Sequence, residues 1–346
     1  MTEEIDVTPP EKRNFERINY SLRPAKHIER KMFCETFGRL SILDKISNYR
    51  YIGMGSAYFS DFSLFHKALG LSKLISIEGA DDNQSQERIK FNKPFSCIDL
   101  FFGWTTDVLP ALPWEKWSEK SIIWLDYIDK LKEFMFNDIE TVISNVKPGS
   151  LFLISVNIEE DDERDEKENS LNLPAKEFRL RKLQDNIGTE SVPIRAFDLI
   201  LNIENNKSII REIINNKFLS TLQKRNNGVV TSEKLEYMQL FNLHYRDSAD
   251  MLTVGGIVYT KDQKVQISQM FQNLDFIRKG EKCFSIVVPK LTYREIHALD
   301  KALPLNKSKT KIVSTRSLNN IPLSQTDKKN YADIYRYFPT FAETNL

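Results

Sequence analysis

The sequence predicts an α/β protein built on a doubly wound, mostly parallel sheet, with a helical insertion and an extra C-terminal segment. Five short apolar segments of strand length lie between residues 49 and 156, and the connections between them are long enough for helices. Connections of this length are typical of right-handed β-α-β units, whose strands run parallel. The acidic run EEDDERDEKE at residues 159–168 then interrupts the alternation. We therefore expect one sheet with an inserted segment after its fifth strand.

Residues 1–48 are predicted to form an N-terminal tail and one helix. The first dozen residues contain Pro9-Pro10 and several charges, a composition that favours a tail. From Arg23 to Leu43 the apolar residues recur at helical spacing. Pro24 suits the first turn of this helix, where a backbone N–H has no intrahelical partner to lose.

Residues 49–158 are predicted to form the ligand-binding core of the sheet. The predicted strands cover residues 49–52, 74–77, 97–102, 121–125 and 151–156, and the predicted helices cover residues 60–69, 84–91 and 134–145. Glycines end several of these elements, at positions where the chain must turn.

The remainder divides into two predicted segments. Residues 159–235 are interpreted as an acidic, solvated loop followed by a helical subdomain, because apolar residues recur there at helical spacing. Residues 236–346 are predicted to complete the sheet with strands at 251–260 and 283–288. The aromatic-rich end, from Tyr331 to Pro339, is expected to pack back onto the body of the protein.

The composition excludes several classes of protein. Hydrophobic residues make up 41% and charged residues 28% of the 346, as in an ordinary globular protein. The formal charge of +1 makes general nucleic-acid binding an unfavoured interpretation. No apolar run reaches the roughly 20 residues that a membrane helix needs, and the acidic start does not resemble a signal peptide. The three cysteines and four histidines are dispersed, so we expect a cytoplasmic protein without a structural metal.

Two features of consecutive predicted strands indicate a ligand that contains ribose. Gly53-Met54-Gly55-Ser56 follows the first strand, and glycines there let the backbone approach a ligand at the start of the next helix. Glu78 ends the second strand 25 residues after Gly53, a spacing at which an acid commonly accepts hydrogen bonds from ribose. The third glycine of the dinucleotide pattern is missing, and an ordinary turn with a solvated carboxylate is the alternative.

The run from Tyr49 to Asn157 resembles the class I S-adenosylmethionine-dependent methyltransferase fold, which is Rossmann-like. YIGMGS is similar to its glycine motif, LISIEG to its acid-ended second strand, DLFFGWTTDVL to the segment that borders adenine, and IIWLDYI to its fourth motif. SLRPAKHIERKM, YRYIGMGSAYFSDFSLFH, WLDY and IYRYFP further resemble a bacterial family labelled "putative O-methyltransferase", some members of which are encoded near phage-defence genes.

The resemblance implies S-adenosylmethionine as the cofactor and assigns roles to eight residues of this chain. The glycine loop would cradle the methionine moiety, the acid would hold the ribose, and the segment after the third strand would border adenine. The implied cofactor-binding residues are Gly53, Gly55, Ser56, Glu78, Gly103 and Trp104, and the implied catalytic residues, which face the transferred methyl group, are Asp126 and Tyr127.

Polar residues at the ends of the fourth and fifth predicted strands are candidates for contact with the acceptor. Asp126 could remove or orient the proton of a hydroxyl group, and a helix cap is the equally weighted alternative. Leu-Asp-Tyr-Ile differs from the D-P-P-Y type of motif, so transfer to an exocyclic base nitrogen is disfavoured. Asn157 could contact substrate or simply form a turn.

The strongest basic feature lies in the N-terminal helix. Lys26 and Arg30 are four residues apart and share one helical face with Arg23. Three cations on one face could bind a phosphate or carboxylate of the substrate. The alternative is a solvated face.

The leading functional hypothesis is O-methyl transfer to a small-molecule or protein acceptor. The alternative is a catalytically degenerate, methyltransferase-like adaptor or nucleotide-sensing component of an anti-phage defence complex, with a protein partner from the same operon. A nicotinamide-dependent dehydrogenase fits less well, because the last glycine of the dinucleotide fingerprint is missing and no clear proton relay follows.

Overall fold

A computed structural model describes residues 23–304 and 320–339, and one eight-stranded sheet organises these ranges. The strands are β1 (Arg50–Gly53), β2 (Lys73–Glu78), β3 (Ile98–Phe102), β4 (Ser121–Lys130), β5 (Ser150–Asn157), β6 (Leu235–Arg246), β7 (Asp250–Thr260) and β8 (Phe284–Ile286). Their order in the sheet is β3-β2-β1-β4-β5-β7-β6-β8. Strands β1 to β5 run parallel, β7 is antiparallel to both of its neighbours, and β8 is parallel to β6. The predicted α/β fold with a mostly parallel sheet is confirmed.

Helices cover both faces of this sheet. They are α1 (Pro24–Arg39), α2 (Ser60–Leu69), α3 (Asn83–Asn92), α4 (Thr105–Ala111), α5 (Glu133–Asn145), α6 (Ala175–Ile187), α7 (Ile203–Arg225), α8 (Lys264–Met270), α9 (Tyr293–Ala302) and α10 (Gln325–Ile334). Short 3₁₀ turns cover Leu40–Ile42, Ile46–Asn48, Trp114–Lys116, Thr189–Ser191, Ile194–Asp198, Lys261–Gln263 and Tyr335–Tyr337. No helix within residues 23–304 and 320–339 is long and apolar enough to span a bilayer.

Alternate residues of the central strands enter two separate hydrophobic cores. In β4, Trp124 points into the core that α1 and α2 cover, where its ring meets Phe33 with a centroid distance of 4.9 Å. Its neighbours Ile123 and Leu125 point into the core that α5 and α7 cover. Because successive side chains of a strand alternate between faces, Asp126 and Tyr127 point toward different layers of helices.

The long helix α7 belongs to the second core and does not form a core of its own. Its apolar face, which includes Ile213, packs on the sheet, and Phe218 stacks on Phe152 of β5 with ring centroids 5.0 Å apart. The region is helical, as predicted. It does not form a subdomain, because α7 packs on the sheet and shares its core.

The acidic run forms a largely exposed loop, as predicted, and ion pairs attach it to the body of the protein. Arg179 of α6 is largely buried and forms ion pairs with Glu160 at 2.5 Å and Glu163 at 2.7 Å. Lys130 at the end of β4 pairs with Asp161 at 2.7 Å. These cations lie far from the run in sequence, so charge counting alone could not reveal that they hold the loop.

Two elements differ from the sequence prediction. The sequence pattern does not predict strand β6, because polar residues such as Asn242 interrupt its apolar pattern; this side chain is buried and donates to the Glu281 carbonyl at 2.8 Å. Strand β4 continues five residues beyond the predicted end at Leu125, with an irregular register between Asp126 and Lys130.

The C-terminal aromatic segment packs back on the body, as predicted. Ile334 and Tyr337 enter the core that α1 covers, and the Tyr337 hydroxyl donates to Glu35 of α1 at 2.5 Å. The predicted N-terminal tail, residues 305–319 and residues 340–346 lie outside the described residues.

Candidate active site

A cavity of about 710 Å³ opens at the carboxyl ends of the central strands. The chain segments that line it include residues 54–56, 77–81, 103–105, 126–129 and 247–249. In an open α/β sheet this edge is where ligands bind, and the volume lies in the range that accommodates small molecules. Within the described ranges, no group of His, Cys, Asp and Glu side chains is placed to hold a metal ion.

The glycine loop reaches this cavity through Gly55 and Ser56. The Gly55 N–H is shared between Glu78 Oε1 at 3.0 Å and Ser76 Oγ at 2.9 Å. Ser56 adopts a left-handed conformation with φ of 48°, which turns the loop toward the cavity. Gly53 ends β1 and does not line the cavity, because the Tyr51 side chain fills the space beside it. Of the three residues predicted to cradle the methionine moiety, the structure brings two to the site.

Replacing Gly55 with alanine is expected to destabilise the protein by about 1–3 kcal/mol through overpacking. A Cβ at this position would lie 2.5 Å from the buried ring of Phe59 and 2.8 Å from Ser76 Oγ, so the loop must shift. Urea unfolding of Gly55→Ala measures the loss. Gly280→Ala is the control, since a Cβ there meets nothing within 4 Å. Equal stability of both variants would contradict this account of the loop.

Glu78 occupies the predicted position at the end of β2, and its carboxylate is almost completely buried. Oε1 accepts the Gly55 N–H and the Ser76 hydroxyl, the latter at 2.5 Å. Burial raises the pKa of this carboxyl to about 7, although the same hydrogen bonds oppose the shift. The carboxylate therefore connects the glycine loop with the second strand and titrates near neutral pH.

Gly103 and Trp104 follow β3 and line the same cavity. The Trp104 ring is 67% exposed, and a Cβ on Gly79 would lie 3.6 Å from it. Gly103 has a φ of 146°, a conformation that other residues rarely adopt. A wide, exposed indole beside Ile77 and Ile89 offers a planar, apolar surface for an aromatic ring.

Asp126 lies inside β4 and does not end the strand or cap the helix that follows. The N-terminal residue of α5 is flanked by Lys132, which makes no side-chain cap. Asp126 faces α1 instead, and its Oδ1 accepts a hydrogen bond from Lys26 Nζ at 2.6 Å. Asp126 lines the cavity at the last regular pair of β4 with β5, opposite Ser155, and the register becomes irregular only after it.

Lys26 is predicted from the sequence to bind substrate, and the structure corrects this. Its ammonium group is buried, pairs with Glu29 at 2.9 Å and donates to the Tyr245 hydroxyl at 2.8 Å. The Trp124 ring lies 4.2 Å from the same nitrogen. Lys26 does not line the cavity, and its ammonium group forms an ion pair with Asp126 from the buried side. This role could not be predicted from the sequence, because Asp126 and Tyr245 belong to strands that are distant from Lys26 in the chain.

The other two cations of the helix face do reach the cavity. Arg23 donates to Ser248 Oγ at 3.1 Å at the rim. Arg30 lines the wall deeper inside and is 7% exposed. Asp247, which no motif singled out as a cap, accepts the backbone N–H groups of Ala25 and Lys26 at 3.1 and 3.0 Å and so anchors α1 over the cavity.

Tyr127 reaches the cavity with its ring, while its hydroxyl is engaged elsewhere. The hydroxyl donates to Asp138 Oδ2 of α5 at 2.5 Å, and Thr105 donates to the same oxygen at 2.5 Å. Burial and the Asp138 charge raise the pKa of Tyr127 well above its ordinary value. Tyr127 is therefore suited to shape the cavity and not to remove a proton.

Asn157 lies away from the main cavity. Its Oδ1 accepts the backbone N–H of Glu159 at 2.7 Å, and its side chain lines a separate pocket of about 30 Å³. The structure thus favours the turn over the predicted contact with substrate, because β5 ends on the far side of β4 from the glycine loop.

Solved structures similar to this chain include S-adenosylmethionine-dependent methyltransferases. Human N-acetylserotonin methyltransferase in complex with S-adenosylmethionine is 13% identical, with a TM-score of 0.30 over 65% of this chain and 52% of that chain. LepI in complex with S-adenosylmethionine is 10% identical, with a TM-score of 0.31 over 60% and 43%. An S-adenosylmethionine-dependent methyltransferase from Mesorhizobium loti is 16% identical, with a TM-score of 0.27 over 36% and 54%.

The chain spans less than two thirds of the length of each of these structures. No curated protein matches it. One protein family, described as "Putative O-methyltransferase", matches residues 18–346.

Proposed function

The chain belongs to the family described as "Putative O-methyltransferase", and on that premise we propose that it transfers a methyl group from S-adenosylmethionine to an oxygen atom of a small acceptor. One observation carries the proposal. The glycine loop, Glu78, Trp104 and Asp126, which come from four different strand ends or loops, line a single cavity.

The cofactor half of the cavity is assigned to three features. Glu78 and Trp104 both line the cavity. The Glu78 carboxylate would accept hydrogen bonds from ribose hydroxyls, and adenine would stack on the Trp104 ring. The loop at Gly55 and Ser56 would lie beside the methionine moiety. When bound, S-adenosylmethionine supplies a methyl group that its sulfonium already activates.

Asp126 is proposed to act on the acceptor. Its carboxylate accepts the proton that the acceptor hydroxyl loses as the new O–CH₃ bond forms and the C–S bond breaks. Lys26 fixes one carboxylate oxygen at 2.6 Å, so the other can face the cavity. Phe134, Ile128 and Met251 also line the cavity, which favours an acceptor with an apolar part.

Calorimetric titration of S-adenosylmethionine and S-adenosylhomocysteine into the purified chain tests the proposal. Wild type is expected to bind both, and Glu78→Gln to bind them about ten- to a hundredfold more weakly, because charge-assisted hydrogen bonds to ribose are lost. Glu87→Gln is the matched control: this residue of α3 is exposed and pairs with Lys90 outside the cavity.

Absence of binding by wild type at millimolar ligand would overturn the proposal. The catalytically degenerate adaptor would then become the better hypothesis, and a stoichiometric partner would be the next object to seek. Equal weakening in Glu78→Gln and Glu87→Gln would instead exclude Glu78 as the ribose-binding residue.

A further inference from the structure

Arg30 is a buried cation that faces the cavity without a partner in the described ranges. Its side chain is 7% exposed, and no hydrogen bond or ion pair joins it to another group within residues 23–304 and 320–339. The Nε atom is fully buried and unsatisfied. Since burying an unpaired guanidinium is costly, a group of this kind indicates a missing anion.

The carboxylate of Asp61, on which the charge of Arg30 acts, already has a hydrogen-bond partner. Asp61 lines the cavity and accepts a hydrogen bond from the Tyr51 hydroxyl. Burial raises the pKa of Asp61, and the charge of Arg30 opposes that rise, so the two groups interact without forming an ion pair. Arg30 therefore retains its donors for a ligand.

The start of α2 adds a second feature that favours an anion at the same wall. Its first residues, Ser60 and Asp61, line the cavity. Phe59 occupies the cap position and makes no side-chain hydrogen bond to the helix. The Asp61 carboxylate accepts a hydrogen bond from its own backbone N–H. The positive end of the helix dipole lies at the same cavity wall as Arg30.

We propose that Arg30 and the start of α2 form a receptor for a carboxylate group of a bound small molecule. A planar guanidinium matches the two oxygens of a carboxylate. The carboxylate comes either from the methionine moiety of the cofactor, in which case the proposal rests on the proposed function, or from an acidic acceptor. Both sources share one chemistry, and the experiment separates them.

The test uses calorimetry on the full chain as wild type, Arg30→Met, Arg30→Lys and Lys31→Met. S-adenosylhomocysteine carries the carboxylate, whereas 5′-methylthioadenosine keeps the nucleoside and the thioether but lacks it. Benzoate, titrated in the presence and absence of saturating S-adenosylhomocysteine, is the carboxylate probe for the acceptor side. Lys31→Met is the matched control, because it removes a neighbouring positive charge of α1 that does not line the cavity.

If the carboxylate belongs to the cofactor, Arg30→Met should lower the affinity for S-adenosylhomocysteine about ten- to a hundredfold. It should change the affinity for 5′-methylthioadenosine by less than about threefold. Arg30→Lys should lie between Arg30→Met and wild type, and Lys31→Met should match wild type. An acceptor carboxylate predicts that benzoate binding requires Arg30 while neither nucleoside is affected. An equal loss of affinity for both nucleosides, or an unchanged affinity for every probe, would overturn the proposal of a carboxylate receptor.

The stability of the free protein separates a binding role from a structural one. Removing an unpaired buried charge is expected to raise the melting temperature of Arg30→Met above that of wild type. A lower melting temperature would assign Arg30 to the structure and overturn the proposal. Wild type that binds benzoate through Arg30 but neither nucleoside would leave the carboxylate receptor standing and refute the proposed function.

Discussion

Lys26→Met is expected to destabilise the folded chain by about 3–5 kcal/mol. The ammonium group of Lys26 is 1% exposed and lies between two carboxylates, Asp126 at 2.6 Å and Glu29 at 2.9 Å. Methionine fills a similar volume but leaves both negative charges without their cation. Urea unfolding at neutral pH measures the difference.

Neutralising one of the two carboxylates that pair with Lys26 should restore much of the free energy of unfolding lost in Lys26→Met. Lys26→Met/Glu29→Gln removes one cation and one carboxylate together, so we expect it to be clearly more stable than Lys26→Met alone. Lys217→Met is the control, because Lys217 forms a partly exposed ion pair with Glu140 at 2.7 Å and should cost less than about 1 kcal/mol. A double variant as unstable as Lys26→Met would contradict the electrostatic explanation.

The destabilisation of Lys26→Met is expected to grow as the pH rises. Burial raises the pKa of Glu29, and the charge of Lys26 opposes this rise, so its removal raises the pKa further. A carboxyl with a raised pKa in the folded state contributes stability at low pH that is lost as the pH increases through that pKa. Unfolding between about pH 5 and pH 8 should therefore show the smallest difference from wild type at the acidic end.

The affinity for S-adenosylhomocysteine is expected to fall by about ten- to a hundredfold between pH 8 and pH 5. Burial raises the pKa of Glu78 to about 7 in the free protein. In the proposed site, the ionised carboxylate would accept charge-assisted hydrogen bonds from ribose hydroxyls, whereas the protonated form has lost that charge. Calorimetric titrations at four or five pH values measure the profile.

Glu78→Gln should bind weakly at every pH and show little slope. A slope that persists in this variant would assign the titration to another group, of which Asp61 is the nearest candidate. The pKa of Glu78 is raised from its ordinary value of 4.5 to about 7 in the folded protein without ligand. The free energy of unfolding therefore decreases as the pH rises from about 4.5 to about 7. The free Glu78→Gln protein is therefore expected to be about 1–3 kcal/mol more stable than wild type above pH 7, while its cofactor affinity is lower.

Features that depend on neighbouring residues could be predicted from the sequence alone. The alternation of apolar strands and helical stretches, the glycines after β1 and the position of Glu78 at the end of β2 all follow from local patterns. These patterns predicted the sheet, the ligand edge and the positions of Gly55 and Glu78 at that edge, whereas Trp104 was assigned to it by the resemblance to a known family. They succeeded because strand periodicity, turn chemistry and spacing act over a few residues.

Features that depend on partners distant in sequence were decided by the tertiary structure. Lys26 and Asp126 are 100 residues apart, and Asp247 caps α1 from 221 residues away. The spacing of the basic residues in α1 does not reveal whether each one contacts solvent, substrate or a buried carboxylate. Packing against β4 and the β6–β7 turn divided the basic face of α1 into a buried, ion-paired cation, Lys26, and a cavity-facing cation, Arg30. Which charges are paired depends on the surroundings of each group, and those surroundings exist only once the chain has folded.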